Sequence, residues 1–127
     1  MISSEEKKRI KAGALHILLK KMDLNNLQEK TKKWTDEVGF KWSSYAQYCH
    51  LVEEVGELGE AITVKEGERN AGSGHKGLAD HSDLSEEIGD ALFSLTVIAN
   101  NYGINLEKSF IDTMIRYNKK MKNNKME

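Results

Sequence analysis

Two stretches decide the fold: LVEEVGELGEAI at residues 51–62 and SEEIGDALFSLTVIAN at residues 85–100. Each stretch carries the same five-residue pattern, EEVGE at 53–57 and EEIGD at 86–90. Apolar residues follow a helical period in the first stretch and cover nearly the whole circumference in the second. The sequence therefore predicts two helices, of which the second is central.

The rest of the chain extends this helical pattern in both directions. A chain of 127 residues fits a single domain, and the absence of proline suits uninterrupted helices. Capping signals and apolar periods predict helices over residues 3–22, 25–38, 44–65, 83–102 and 105–122. We therefore expect an all-α fold, with a four-helix-bundle-like core over residues 25–120 and an N-terminal helical extension over residues 1–24.

The helices carry apolar stripes, and the stripe of the helix over 44–65 is expected to be its buried side. We expect Trp34 to face the core. The stripe of the helix over 44–65 contains Tyr48, Leu51, Val52, Val55, Leu58 and Ile62, and that of the last helix contains Leu106, Phe110, Met114 and Tyr117. Residues 67–82 are glycine-rich and show no hydrophobic period, so they predict a flexible loop in which His75 and His81 are solvated.

Charge and cysteine content exclude several kinds of partner. The chain has 19 basic and 20 acidic residues, a net charge of −1, which provides no basic surface for nucleic acid. No apolar run has the ~18 residues that a membrane span needs. The single cysteine, Cys49, cannot form an internal disulfide, which favours a reducing compartment such as the cytoplasm.

The carboxylates of the two acidic motifs share helix faces. At ~100° per residue, Glu53, Glu54 and Glu57 fall within an arc of ~100°, while Glu87 and Asp90 stand one turn apart on the central helix. Clustered carboxylates repel one another, and hard divalent cations such as Mg²⁺ prefer oxygen ligands. The sequence therefore predicts a Mg²⁺ site, although acidic residues commonly just decorate solvated helix faces.

Two features beside the carboxylates bear on this site. His50 lies three and four positions before Glu53 and Glu54, within reach on one helix face. Gly56, Gly59 and Gly89 each cost ~1 kcal/mol relative to alanine inside a helix, so a close helix approach or tight metal packing is expected there.

Other metal sites built on acidic residues do not fit the sequence. A di-iron bundle calls for Glu-x-x-His on two helices, and neither acidic motif has that histidine. The ligand order of a calcium-binding hand is missing around Asp80 to Asp90.

LVEEVGELGEAI followed by SEEIGDALFSLTVIANNYGINLEKSF resembles the MazG-type nucleoside triphosphate pyrophosphohydrolases, an all-α family whose signature is EExxE followed by ExxD. The resemblance implies that Glu54, Glu57, Glu87 and Asp90 bind Mg²⁺, with Mn²⁺ as a substitute. It implies that Glu53 binds a further ion or orients the attacking water, and that Arg116 and Lys120 hold phosphates. Trp42 is the expected base-binding residue, although aromatic residues there also suit core packing.

The activity implied by this resemblance is cleavage of a nucleoside triphosphate between its α and β phosphates, which gives a monophosphate and pyrophosphate. Canonical, deoxy and non-canonical nucleotides are all candidate substrates. Relatives form dimers or tetramers, so a homodimer or homotetramer is expected. Two alternatives stay open: an enzyme resembling phosphoribosyl-ATP pyrophosphohydrolase, and a helical oligomerisation module that binds nucleotide without turnover.

Overall fold

The computed structural model describes residues 3–5, 8, 22–72 and 78–124. Its four long helices are α1 (Leu24–Glu37), α2 (Ser44–Lys65), α3 (Leu84–Asn101) and α4 (Leu106–Asn124). These bounds agree with the last four predicted helices to within about two residues, and the all-α prediction is confirmed. Most of the predicted N-terminal helix over residues 3–22 lies outside the described residues.

Short-range capping explains where the helices begin and end. The residue before each helix accepts a hydrogen bond from a backbone N–H three positions later, at distances between 2.8 and 3.2 Å. The turns after α1 and α3 contain glycines with φ near +70° and +64°, a backbone conformation that favours glycine. The capping residues are Asp23, Ser43, Asp83 and Asn105, and the glycines are Gly39 and Gly103.

Packing is most extensive between α2 and α3, and α3 also lies against α1. On α2 the buried residues Gln47, Glu54 and Ala61 recur every seven positions and so lie on one face. α3 contains most of the other buried side chains, which confirms its central place. This α2–α3 contact positions the two acidic motifs beside each other.

Gln28 of α1 holds the beginning of α4 against the end of α3. Its amide nitrogen donates to Asn100 Oδ1 at 3.1 Å and to the carbonyl of Ile104 at 2.7 Å. Its amide oxygen accepts from the backbone N–H of Leu106 at 2.8 Å. Asn100 returns a hydrogen bond to the carbonyl of Gln28 at 3.0 Å. The carboxamides therefore fix the α3–α4 turn from within the fold.

The predicted buried side of α2 is largely exposed in the single chain, and so is the apolar stripe of α4. Trp34 makes an edge contact with Phe93, with ring centroids 5.7 Å apart, but is half-exposed. The prediction for α2 was wrong because a helical period identifies an apolar face without identifying what covers it. The exposed stripe residues are Tyr48, Val52, Val55 and Ile62 on α2, with Phe110, Met114 and Tyr117 on α4.

The helical glycines meet no close neighbour within the described chain. A Cβ atom added at Gly56, Gly59 or Gly89 would find nothing within 4 Å. The expected close approach of another helix is therefore wrong for the described part of this single chain.

The segment between α2 and α3 contains one short pairing. β1 (Asn70–Ala71) and β2 (Leu78–Ala79) pair in parallel, with Asn70 opposite Leu78, and β2 contacts α2. Residues 73–77 lie outside the described part. The predicted loop therefore includes a pair of two-residue strands, after which the chain continues to His81 and the start of α3.

In the part of the chain that the structure describes, each helix is too short or too polar to cross a membrane.

Candidate metal centre

Carboxylates from both acidic motifs converge where α2 packs on α3. Ligand atoms of Glu54, Glu87 and Asp90 all lie within 4.8 Å of one another. A second set, formed by Glu57, His81 and Glu87, meets the same limit. Glu87 belongs to both sets and so stands at the middle of the cluster. The predicted convergence of the two motifs is thus present in the geometry.

Burial separates the members of the cluster. The side chain of Glu54 is 10% exposed and that of Glu87 is 4% exposed, whereas that of Glu53 is 73% exposed. Among the described residues, the Oε2 atoms of Glu54 and Glu87 have no hydrogen-bond partner. A buried, unpaired carboxylate oxygen is costly unless a proton or a cation compensates it. The two buried glutamates therefore fit the binding of a positive ion.

The pKa of Glu54 reflects this crowding. Burial raises it above its ordinary value, and the nearby carboxylates of Glu57 and Asp90 add to the increase. His50 acts in the opposite direction. Without a metal, protonation of Glu54 partly relieves the repulsion in the cluster.

His81 lies between the two acidic motifs rather than in solvent, which corrects the sequence-based prediction. Its Nδ1 is 2.9 Å from Glu87 Oε1, and its Nε2 is 3.4 Å from Glu57 Oε1. Burial lowers the pKa of His81, but the hydrogen bond to Glu87 and the charges of Glu57, Glu87 and Glu60 outweigh it and raise that pKa. The only signal in the sequence is the position of His81 two residues before the Asp83 cap.

His50 contacts the carboxylates of Glu53 and Glu54, as its spacing predicted, and also contacts an aromatic pair. Its Nε2 is 3.0 Å from Glu54 Oε1, and its Nδ1 is 3.8 Å from Glu53 Oε2. Its ring makes an edge contact with Trp42, with centroids 5.0 Å apart, and Trp42 packs on Phe40 at 4.8 Å. Trp42 therefore lies next to the acidic cluster while half of its surface stays exposed.

Trp42 also lines a cavity of about 240 Å³ between α1 and the end of α3. Its wall includes the basic residues Lys32 and Lys41, together with Asn101. Lys32 forms an ion pair with Asp36 at 3.1 Å. The cavity thus combines one large aromatic face with polar groups.

Arg116 and Lys120 are exposed on α4. α4 packs mainly against α1, whereas the carboxylates lie on α2 and α3. Arg116 donates a hydrogen bond to Thr113 Oγ1 at 3.0 Å within its own helix. The described structure therefore does not bring these two residues together with the acidic cluster.

The donor set fits a hard divalent cation. Four carboxylates, two of them buried with an unpartnered oxygen, offer the oxygen ligands that such ions prefer. Exposed Asp90 and half-buried Glu57 leave the cluster open on one side.

The sequence model of the MazG nucleotide pyrophosphohydrolase domain matches residues 43–124, from the cap of α2 to the end of α4. The chain belongs to this family. The family prediction made from the EExxE and ExxD motifs is confirmed. The matched region contains all five predicted carboxylates and lacks Trp42, which stands one residue before it.

The individual relatives agree with this membership. An uncharacterised Bacillus subtilis protein, YpjD, is 35% identical over 77 residues, which are 61% of this chain and 66% of that protein. The chain thus matches just under two thirds of this relative's length.

The crystal structure of YpjD superposes on this chain with a TM-score of 0.64 at 28% identity. It covers 76% of this chain and 94% of that one. YpjD is itself a suspected rather than an established pyrophosphatase. The iMazG protein from Vibrio DAT 722 is 30% identical, covers 81% of this chain and 99% of that one, and has a TM-score of 0.49.

Removing the charge of Glu54 is expected to stabilise the metal-free protein. Because the pKa of Glu54 is raised, its proton contributes stability that is fully present below the ordinary pKa of 4.5 and is lost as the pH rises through the raised pKa. Glu54→Gln stays neutral at every pH. In EDTA at pH 7.5 it should raise the melting temperature by ~4 °C, or ~1 kcal/mol, and the gain should shrink towards pH 4.5.

Glu53→Gln is the matched control, since it makes the same change one residue earlier at a largely exposed side chain. It should alter the free energy of unfolding by less than ~0.5 kcal/mol. A lower melting temperature for Glu54→Gln in EDTA would show that the buried carboxylate already has a compensating partner.

Proposed function

We propose that the protein is a Mg²⁺-dependent nucleoside triphosphate pyrophosphohydrolase that cleaves the bond between the α and β phosphates. The observation that carries this proposal is the meeting of the two family motifs at two buried carboxylates, Glu54 and Glu87, each of which has one oxygen without a partner in the described chain. The similarity to YpjD, a suspected pyrophosphatase, supports the same activity. The products are a nucleoside monophosphate and pyrophosphate.

Glu54, Glu57, Glu87 and Asp90 would hold the divalent ion, with Mn²⁺ as a possible substitute for Mg²⁺. When bound, such an ion lowers the pKa of coordinated water and offsets the charge of the phosphates. The helices contribute rigidity, because each pair of ligands stands one turn apart on a helix, and α2 and α3 pack against each other at the site.

Glu53 is the proposed base of the reaction, or a ligand for a further ion. Its exposed carboxylate stands next to the buried Glu54, where it can orient a water molecule and accept its proton. Arg116 and Lys120 are proposed to hold the phosphates. As neither lies at the cluster within the single chain, this role calls for a substrate that spans the distance or for a second subunit.

The nucleoside is proposed to lie against Trp42. The half-exposed indole ring faces a 240 Å³ cavity, and His50 connects it to the carboxylates through Glu54. Aromatic faces stack on bases with little regard to their identity, so the panel of accepted bases should be broad.

Loss of either Glu57 or Asp90 should abolish turnover. We expect Glu57→Ala and Asp90→Ala each to lower kcat/KM at least ~100-fold, because each removes a ligand from the ion site. Pyrophosphate release with Mg²⁺ or Mn²⁺ measures this, over canonical, deoxy and oxidised triphosphates and phosphoribosyl-ATP. Circular dichroism should show unchanged helical content.

Glu86→Ala is the control, because Glu86 is an exposed carboxylate of the same motif outside both ligand sets. It should keep near-normal turnover. If no substrate of the panel yields pyrophosphate, the enzyme proposal fails, and the alternative of a helical module that binds nucleotide without turnover is favoured. A preference for phosphoribosyl-ATP would favour the alternative of an enzyme resembling phosphoribosyl-ATP pyrophosphohydrolase.

Trp42 should affect substrate binding more than chemistry. Trp42→Leu removes a stacking partner worth ~1 to 3 kcal/mol per base, so KM should rise about tenfold while kcat changes little. Trp42→Phe keeps an aromatic face and should restore most of the affinity. Equal KM values for Trp42→Leu and the original protein would remove Trp42 from the site.

A homodimer or homotetramer is proposed from the apolar surface that the single chain leaves exposed. Within the described residues, the buried apolar side chains are only Ala61, Val97 and Ala99. At 100° per residue, Tyr48, Val52, Val55 and Ile62 form an exposed stripe ~80° wide on α2, with Gly59 inside it and Gly56 ~40° beyond its edge. A second copy of the chain fits this stripe, since glycines there admit a close helix.

Charge placed on that stripe should separate the subunits. Val55→Arg should convert the oligomer to a folded monomer in light-scattering measurements after size exclusion. Val38→Arg is the matched control, because Val38 is 54% exposed and Val55 is 53% exposed, but Val38 lies at the end of α1. A monomeric original protein, or dissociation by both variants alike, would contradict this interface.

A further inference from the structure

His81 is the one nitrogen donor that belongs to a described ligand set. It lies on neither acidic motif, and the chain reaches it through the segment that pairs β1 with β2 and contacts α2. Two residues later Asp83 caps α3, with its side chain accepting from the backbone N–H of Glu86 at 3.2 Å. The chain on one side of His81 therefore contacts α2, and the chain on the other side caps α3.

The two ring nitrogens have different surroundings. Nδ1 is 2.9 Å from Glu87 Oε1, a normal hydrogen-bond distance. Nε2 is 3.4 Å from Glu57 Oε1, which is long for a hydrogen bond to a carboxylate. Two donor atoms that share one ion, each bonded at ~2.1 Å, stand ~3 Å apart when they are neighbours in its coordination sphere. The pair of Nε2 and Glu57 Oε1 thus has the spacing of neighbouring ligands.

Glu87 supplies a second, independent observation. Its side chain is only 4% exposed, and its Oε2 has no partner among the described residues. Its other oxygen already accepts from His81. One oxygen of Glu87 thus bonds to His81, and the other is unpaired beside Glu54 and Asp90. This arrangement fits a carboxylate that binds a cation.

We propose that His81 is a metal ligand through Nε2, beside Glu57, and that Glu87 fixes the orientation of the ring by accepting a hydrogen bond from Nδ1–H. A hydrogen bond from the non-ligating nitrogen to a carboxylate is the usual way that proteins orient a ligating histidine. The inference rests on the proposed metal site and adds a nitrogen donor to its carboxylates.

This donor changes which ion the site prefers. Mg²⁺ strongly favours oxygen, whereas Mn²⁺, which also suits carboxylates, is a transition ion and accepts an imidazole nitrogen more readily than Mg²⁺ does. Loss of His81 should therefore weaken Mn²⁺ binding more than Mg²⁺ binding. An effect of equal size on the two ions would indicate only a general disturbance of the cluster.

The test uses His81→Asn in the full chain without nucleotide. Asparagine can still donate to Glu87 from the position of Nδ1, but it offers nothing at the position of Nε2. Mn²⁺ bound to the original protein should show nitrogen coupling from an imidazole in pulsed electron paramagnetic resonance, and His81→Asn should lose it. Calorimetry should show Mn²⁺ affinity falling about tenfold and Mg²⁺ affinity, measured by competition, falling less than about threefold.

His50→Gln is the control, because His50 also contacts a carboxylate of the cluster but belongs to neither ligand set. Its nitrogen coupling should stay. Mn²⁺ that binds without nitrogen coupling, or coupling that survives His81→Asn, overturns the ligand role while leaving the carboxylate site intact. Failure of the original protein to bind Mn²⁺ or Mg²⁺ removes the proposed function as well, so the two failures are distinguishable.

Discussion

Repulsion among carboxylates at the α2–α3 contact is the constraint on which the rest of the structure depends. Glu54 and Glu87 are buried and each has an oxygen without a partner in the described chain, while Glu57 and Asp90 stand one turn further along the two helices. Such a cluster opposes folding unless a proton or a cation compensates it. In the metal-free fold, two histidines contact these carboxylates and reduce part of the repulsion: His50 lies beside Glu54, and His81 lies between Glu57 and Glu87. The four carboxylates therefore lower the stability of the metal-free fold, and a loss of stability of this kind is usual at functional sites.

Local chemistry made the helices and the convergence of the acidic motifs predictable. Ser43, Asp83 and Asn105 cap their helices, because a short polar side chain followed by two intervening residues suffices for the bond to the third backbone N–H. The i, i+3 spacing of Glu54 and Glu57 likewise fixes a shared face in any α-helix. The place of His81 was not predictable in this way. Its segment has no period, and its path depends on the distant pairing of Asn70 with Leu78 and on contact with α2.

The exposed apolar stripes show a second limit of sequence reasoning. A period of 3.6 identifies the apolar face of α2 correctly, yet Val52 and Val55 on that face are half-exposed in the single chain. Hydrophobicity alone does not distinguish a face covered by the same chain from one covered by another copy. The buried positions of α2 are instead Gln47, Glu54 and Ala61, of which two are polar. α2 consequently has a polar side, which carries Glu54, facing the inside of the single chain and its apolar side facing outside.

This inversion bears on why glycines occupy this part of α2. Gly59 lies within the exposed apolar stripe and Gly56 lies ~40° beyond its edge, and a Cβ built on either would meet nothing within 4 Å in the described chain. Each glycine costs ~1 kcal/mol of helix stability relative to alanine, and nothing in the described chain uses the missing side chain. A second helix that approaches the backbone of α2 would use it, because contact without Cβ atoms allows shorter distances between helix axes. The carboxylates of α2 would then bind the ion on one side of the helix, and its glycines would admit the second helix on another side. A change in how the two chains pack would therefore also change the geometry of the proposed ion site.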